Sequence, residues 1–203
     1  MGDKKLLFSP SYHLLPITYH RTAMSNEIKQ GQADTENTDA ATGSSTPSPL
    51  VAALQLQRPE LADAISEAFN EVTMIVPRDK IVELCSYLKT APDFEFNFLA
   101  DLCGVDRGPE EEPRFEVNYH LFSTSKHHRL RLKVVLTDDD PHVASVTGVW
   151  RTANWHERET YDLLGIVFDD HPDLRRILLP DEWEGHALRK DFPLRGYEPY
   201  SLT

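Results

Sequence analysis

The sequence predicts an α+β domain, a mainly antiparallel sheet packed by helices, preceded by a disordered tail and followed by a long extended arm. Three observations carry that reading. Phe115, Val117, Tyr119 and Leu121, then Leu130, Leu132, Val134 and Leu136, fall at every second position, the period of a half-buried strand. Ile81, Leu84, Cys85 and Leu88 fall at i, i+3, i+4 and i+7, the stripe of an amphipathic helix. The order helix, strand, helix, then meander indicates an α+β domain with helices on one side of the sheet.

The elements follow in order. Residues 25–49 hold Ile28 as their only large apolar side chain and no aromatics, so burial cannot offset their ordering entropy; residues 1–49 are expected to be a disordered tail. Met24 opens the polar run M-S-N-E-I-K-Q and is a second candidate start, which detection of residues 1–23 in the native chain would exclude. The core domain spans 50–165. Pro59 suits a first helical turn, with Leu61, Ile65 and Phe69 on one face. The β-branched run 71–76 predicts a strand stopped by Pro77, after which Asp79 caps a second helix that Pro92 ends. Phe94, Phe96 and Phe98 alternate and lead into a strand ending in L-A-D-L-C-G-V-D. S-T-S-K-H-H closes a hairpin between the two alternating runs. Residues 143–149 fit a short strand or a short helix equally. Asn154 with Glu157 three residues later reads as a capping box for a helix from Trp155 to Leu164, and Gly165 reads as its stop. Pro172, Pro180, Pro193 and Pro199 are too many for regular structure, so residues 166–203 are read as the arm.

Composition narrows the function. The 203 residues carry a formal net charge of −12, which speaks against nucleic acid and against direct attachment to an anionic membrane. No run approaches the roughly 18 apolar residues of a transmembrane helix. The first 22 residues lack the continuous apolar stretch of a signal peptide, and Arg21 stands alone where a transit peptide is Arg-rich; a cytoplasmic protein is expected. Cys85 and Cys103, without C-x-x-C spacing, exclude an iron–sulfur cluster or four-thiolate zinc site held by this chain alone.

The chemistry-bearing residues concentrate in 150–193. Glu157, Arg158, Glu159 and Asp162 share one helix, with Arg158 and Asp162 spaced as i,i+4 partners. His156-Glu157 fails as a metalloprotease motif, because a second His is needed at position 160, which is Thr160. Glu159, His171 and His186 are a conceivable metal set of no recognised spacing, and on that reading the chain is a metal-dependent hydrolase. Arg175, Arg176, Arg189, Lys190 and Arg195 make the arm basic within an acidic protein, suited either to a partner's carboxylates or to Asp169, Asp170, Asp181 and Glu184. Nucleophilic triads, G-x-G-x-x-G and G-x-x-x-x-G-K-[ST] are missing. Trp, Tyr and Arg mixed at this density suit a surface matched by another protein.

The run E-R-E-T-Y-D-L-L-G-I-V-F-D-D-H-P-D-L-R-R-I-L-L-P-D-E-W-E-G-H-A-L-R-K-D-F-P-L closely resembles the signature of the 30 kDa subunit of respiratory complex I, the bacterial NADH–quinone oxidoreductase. The resemblance extends upstream through D-L-C-G-V-D, R-F-E-V-N-Y-H-L-F, R-L-R-L-K-V and A-N-W, covering roughly residues 70–200. Glu157, Arg158, Glu159, Asp162, His171, Arg175 and Arg176 map onto the family motif; Asp170 and Ala187 stand where the family commonly has Gly and Pro. The resemblance implies a peripheral-arm subunit with no catalytic residues, no metal and no redox centre. FMN, iron–sulfur clusters and quinone would belong to other subunits of a complex that passes electrons from NADH to quinone and translocates protons. It implies contact with the large subunit lining the quinone chamber, with the terminal-cluster subunit and with others of the arm. It also implies indirect membrane association on the cytoplasmic side of the bacterial inner membrane. The equivalent subunit of a membrane-bound hydrogenase or formate hydrogenlyase is the alternative within the same resemblance.

Overall fold

The structure, a computed structural model, describes residues 47–69 and 71–194. Residues 1–46 of the expected tail, Met24 among them, and Arg195 lie outside the described residues, whereas Ser48 and Pro49 of that tail open the first helix. Helix α1 (Pro49–Gln57) leads through a 3-10 turn, Pro59–Ala64, into β1 (Ile65–Ala68) and β2 (Glu71–Ile75). After a second 3-10 turn come α2 (Ile81–Thr90), β3 (Phe98–Asp106), β4 (Phe115–Phe122) and β5 (Arg129–Leu136). Then follow β6 (His142–Ala144), α3 (Ala153–Leu164) and β7 (Val167–Asp169). The main sheet runs β1-β2-β5-β4-β3; every neighbouring pair is antiparallel except β2 with β5. The predicted α+β class with a mainly antiparallel sheet is the class observed. No helix among the described residues is long and apolar enough to cross a membrane.

The alternating strands pair as their periodicity requires, with Phe115 opposite Leu136 and Phe122 opposite Arg129. Val117, Tyr119 and Leu121 join Leu130, Leu132 and Val134 in one core with Ile81, Leu84, Cys85 and Leu88 of α2. β4 is buried on both faces, Glu116 and Asn118 included. Glu116 is neutralised there by Arg107 and by Lys133, the latter at 2.8 Å.

Local expectations are corrected at two places, and one open choice is resolved. The helix read over residues 59–69 is a 3-10 turn and then strand β1, because residues 65–68 pair with 71–74 and Phe69 becomes the hairpin tip, 97% exposed with φ 53°. The helix of this region starts earlier, at Pro49, where the Ser48 hydroxyl accepts from the Val51 N–H at 3.4 Å. Asp79 caps nothing: it sits in the 3-10 turn Arg78–Lys80, where the Lys80 N–H is satisfied by the Pro77 carbonyl at 3.0 Å. Phe94 and Phe96 lead into β3 as expected and are both buried, with Glu95 at φ 47° between them, while Phe98 is exposed. In 143–149 the open choice resolves to a short strand, β6, which pairs in parallel with β7.

Helix α3, the crossover from β6 to β7, lies close on β3. Gly104 permits the approach, because a Cβ there would stand 2.5 Å from Leu164 Cδ1 and 2.8 Å from Thr160 Cγ2. Gly165 ends the helix at φ 75°, as its sequence position predicts. Past β7 the described chain forms neither helix nor strand, yet it is not free of the core.

Candidate functional site

Residues 170–194 form a strap across α3, fixed first by the carboxylate of Asp162. Asp162 is buried; its Oδ2 accepts from three successive amides, Ile177 at 3.0 Å, Leu178 at 2.8 Å and Leu179 at 2.9 Å. Its Oδ1 accepts from Arg176 Nη1 at 2.8 Å. Arg176 also donates to the carbonyls of Trp183 and Gly185, both at 3.0 Å, so one guanidinium closes the strap's loop on itself. Burial alone would raise the Asp162 pKa, but the three amides and Arg176 outweigh it and hold the group below its ordinary value.

The same strap supplies donors to the end of α3, whose last carbonyls have no partner inside the helix. His186 Nδ1 donates to Asp162 O at 2.9 Å, the Leu188 N–H to Leu163 O at 3.0 Å, and Arg189 Nε to Leu164 O at 2.6 Å. Positive side chains are favoured at that end by the helix dipole. The Lys190 N–H then donates to Asp106 Oδ2 at 2.7 Å, and Lys190 Nζ to Arg107 O at 2.8 Å. Asp106 is gripped by Arg114 at 3.0 and 3.1 Å. Burial pushes Asp106 upward, but Arg114 and the amides of Lys190 and Gly108 bring its pKa down to about 2.

At the other end of α3 a second buried carboxylate meets only neutral partners. Glu157 accepts from the Val146 N–H at 2.8 Å and from Ser145 Oγ at 2.7 Å. Burial outweighs both bonds and lifts its pKa to about 7. His171 Nε2 lies 3.9 Å away, too far for a hydrogen bond. That imidazole accepts the Asp173 N–H at Nδ1, 3.0 Å, and so carries its own proton on Nε2, which points to Asn154 O at 3.2 Å. Burial lowers its pKa, keeping the ring neutral. Arg158 donates to the carbonyls of Arg175 and Arg176, at 3.1 and 3.0 Å, and lies 5.4 Å from the Trp155 ring centre.

Several site expectations change accordingly. The capping box does not form: Thr152 precedes the helix without a side-chain cap, and Glu157 is drawn instead to the amide of a loop distant in sequence. Arg158 and Asp162 do not pair, since each finds better-placed partners in the strap. Arg176, His186 and Arg189 bond within the chain, because the last turn of α3 requires donors there. Arg175 remains exposed beside Asp173 at 3.0 Å, and Glu159 is exposed. Glu159, His171 and His186 do not assemble as a metal set, since His171 serves one end of α3 and His186 the other. Among the described residues the one group of three or more ligating side chains in reach of each other is Asp101, Cys103 and His120. Sequence reading overlooked it, as it overlooked the Asp106–Arg114 pair, because both join separate strands. Asp170, in the position where Gly was noted as the family's habit, has φ 62°, a left-handed conformation that Asp tolerates better than most side chains. Outward from α3 and the strap project Trp155, Leu178 and Leu188, each about three-fifths exposed.

A family model described as "Respiratory-chain NADH dehydrogenase, 30 Kd subunit" matches residues 74–198. The chain belongs to that family. Among relatives of this 30 kDa family, the second C-type subunit of the NADH-quinone oxidoreductase of Rhizobium meliloti (strain 1021) is 58% identical over 123 residues, 61% of this chain and 66% of its own length. The chain thus spans just under two thirds of that relative. The C-type NADH-quinone oxidoreductase subunit of Roseiflexus sp. (strain RS-1) is 47% identical over 153 residues, 74% of this chain and 87% of its own. The solved Nqo5 trypsin-resistant fragment is 32% identical with a TM-score of 0.52, covering 61% of this chain and 99% of the fragment. A chain of the archaeal membrane-bound sulfane sulfur reductase shares the fold alone: TM-score 0.60 at 22% identity, covering 71% of this chain and 84% of that one.

Proposed function

We propose that this chain is a structural subunit of the peripheral arm of a proton-translocating NADH–quinone oxidoreductase and takes no direct part in its electron transfer. The flavin, the iron–sulfur clusters and the quinone are held by other subunits. Its partners are the large subunit lining the quinone chamber and the subunit with the terminal cluster, on the cytoplasmic side of a bacterial inner membrane. Family membership supports the setting. One observation supports the role: buried Arg158 and Asp162 of α3 are spent on fixing the strap, and Trp155, Leu178 and Leu188 stand exposed on the outer surface beside it. Aromatic and aliphatic side chains held rigidly make good interface anchors, since little side-chain entropy remains to be lost on docking.

The test is purification of the tagged chain from its native host, with parallel preparations of Trp155→Asp and Leu178→Asp. Co-elution of flavin- and NADH-binding subunits is expected. Both variants should lower the amount of assembled complex while leaving turnover per assembled unit and the unfolding midpoint of the free chain near the parent's. Assembly at the parental level with lost turnover, or co-elution of a nickel-ligating large subunit instead, counts against this reading.

A further inference from the structure

We propose that Asp101, Cys103 and His120 form a binding site for a divalent transition-metal ion of the zinc(II) class on the face of β3 and β4 turned away from the core, bordered by His156 of α3. Their ligating atoms, a carboxylate oxygen, a thiol sulfur and an imidazole nitrogen, all lie within 4.8 Å of one another. The backbone places them there. Asp101 and Cys103 are two residues apart on β3 and share a face, while His120 stands opposite Asp101 on β4. A bulge makes this possible: Leu99 pairs with Leu121 and Asp101 with the adjacent His120, so Ala100 is the extra residue. Without it Asp101 would share the core face with buried Leu99; with it the carboxylate turns outward beside the imidazole.

The surroundings fit a cation. Asn118 lies opposite Cys103 in the same register, 8% exposed, and its side-chain oxygen has no hydrogen-bond partner. A buried amide oxygen without a donor is costly, and an ion beside it would relieve that cost. His156 of α3 places Nδ1 3.5 Å from Asp101 Oδ1 and offers a further imidazole. Arg131, a cation that acts on Cys103, is turned onto Thr73 Oγ1 by bonds of 3.0 and 2.8 Å from Nε and Nη2. One thiolate, one carboxylate and one imidazole carry two negative charges against the ion's two positive ones, and the mixed sulfur, nitrogen and oxygen donors suit zinc(II). On binding, the Cys103 thiol gives its proton to solvent as the sulfur–metal bond forms; nothing is oxidised or reduced. The ion therefore braces β3 against β4 and adds no electron carrier to the chain.

Cobalt(II) is the probe, titrated into the reduced, chelator-treated full-length chain. A saturable thiolate-to-cobalt charge-transfer band at a stoichiometric ratio is expected, bleached by zinc(II). Cys103→Ser should abolish it, since the other thiol, Cys85, is buried in the core. Asp101→Asn, at a half-exposed side chain that the core does not need, should weaken cobalt binding by about tenfold or more with an unchanged circular dichroism spectrum. No charge-transfer band at stoichiometric cobalt, a band that survives Cys103→Ser, or parental affinity in Asp101→Asn overturns the proposal.

Discussion

The two ends of α3 treat the same chemical group in opposite ways. Glu157 and Asp162 are five positions apart, both closed off from solvent surface and each hydrogen-bonded through both oxygens, but burial weighs more heavily on Glu157. Glu157 has a hydroxyl, one amide and a neutral imidazole nearby, and its pKa rises to about 7; Asp162 has a guanidinium and three aligned amides, and its pKa falls. Depth of burial and the dipoles and charges facing a carboxylate together decide its charge. The Asp162 end is an ionic lock, whereas the Glu157 end works as a neutral hydrogen-bonded joint over most of the acid range.

The largest expected effect attacks the lock. Arg176→Ala removes the charge partner of Asp162 and three carbonyl contacts, and should cost about 3–5 kcal/mol, read from urea unfolding midpoints. A loss below 1 kcal/mol would show that the amides alone hold Asp162. Next comes the joint. The folded-state pKa of Glu157 is raised from 4.5 to about 7, so its stabilising contribution is complete below pH 4.5 and disappears as pH rises through about 7. Glu157→Gln stays neutral throughout, so over that window the parent should lose up to about 3 kcal/mol relative to the variant. Parallel stability–pH curves would remove the contrast between the two ends. Asp162 has the opposite sign, contributing above its unfolded value of 3.8 and failing only as pH falls through its lowered one. The smallest effect is the control: Arg175→Ala, at an exposed pair with Asp173, should shift unfolding by less than about 0.5 kcal/mol.

What was legible in the sequence follows the range of the forces involved. β4, β5 and α2 were readable because their buried faces are set by the period of a single element, and Gly165 because a left-handed stop is local. The 59–69 helix misled because Leu61, Ile65 and Phe69 share helical spacing by accident; pairing with β2 won. The capping box misled for a related reason, since Glu157 met both local and tertiary donors and took the buried tertiary one. The residues of the α3 region stand out in the sequence as a group. Their partners do not, because three amides at 177–179 leave no trace in residue identity, and the bulge at Ala100 that gathers Asp101 with His120 is equally silent.

The grip of Lys190 on Asp106 joins positions 84 apart in the chain, and that separation orders events during synthesis. Every strand of the main sheet is translated before the segment that locks α3 has emerged. Until then Asp162 and the last carbonyls of the helix have only water to satisfy them. The strap thus closes over α3 only after the sheet beneath it has been made, a step that waits for residues 176–190 to leave the ribosome.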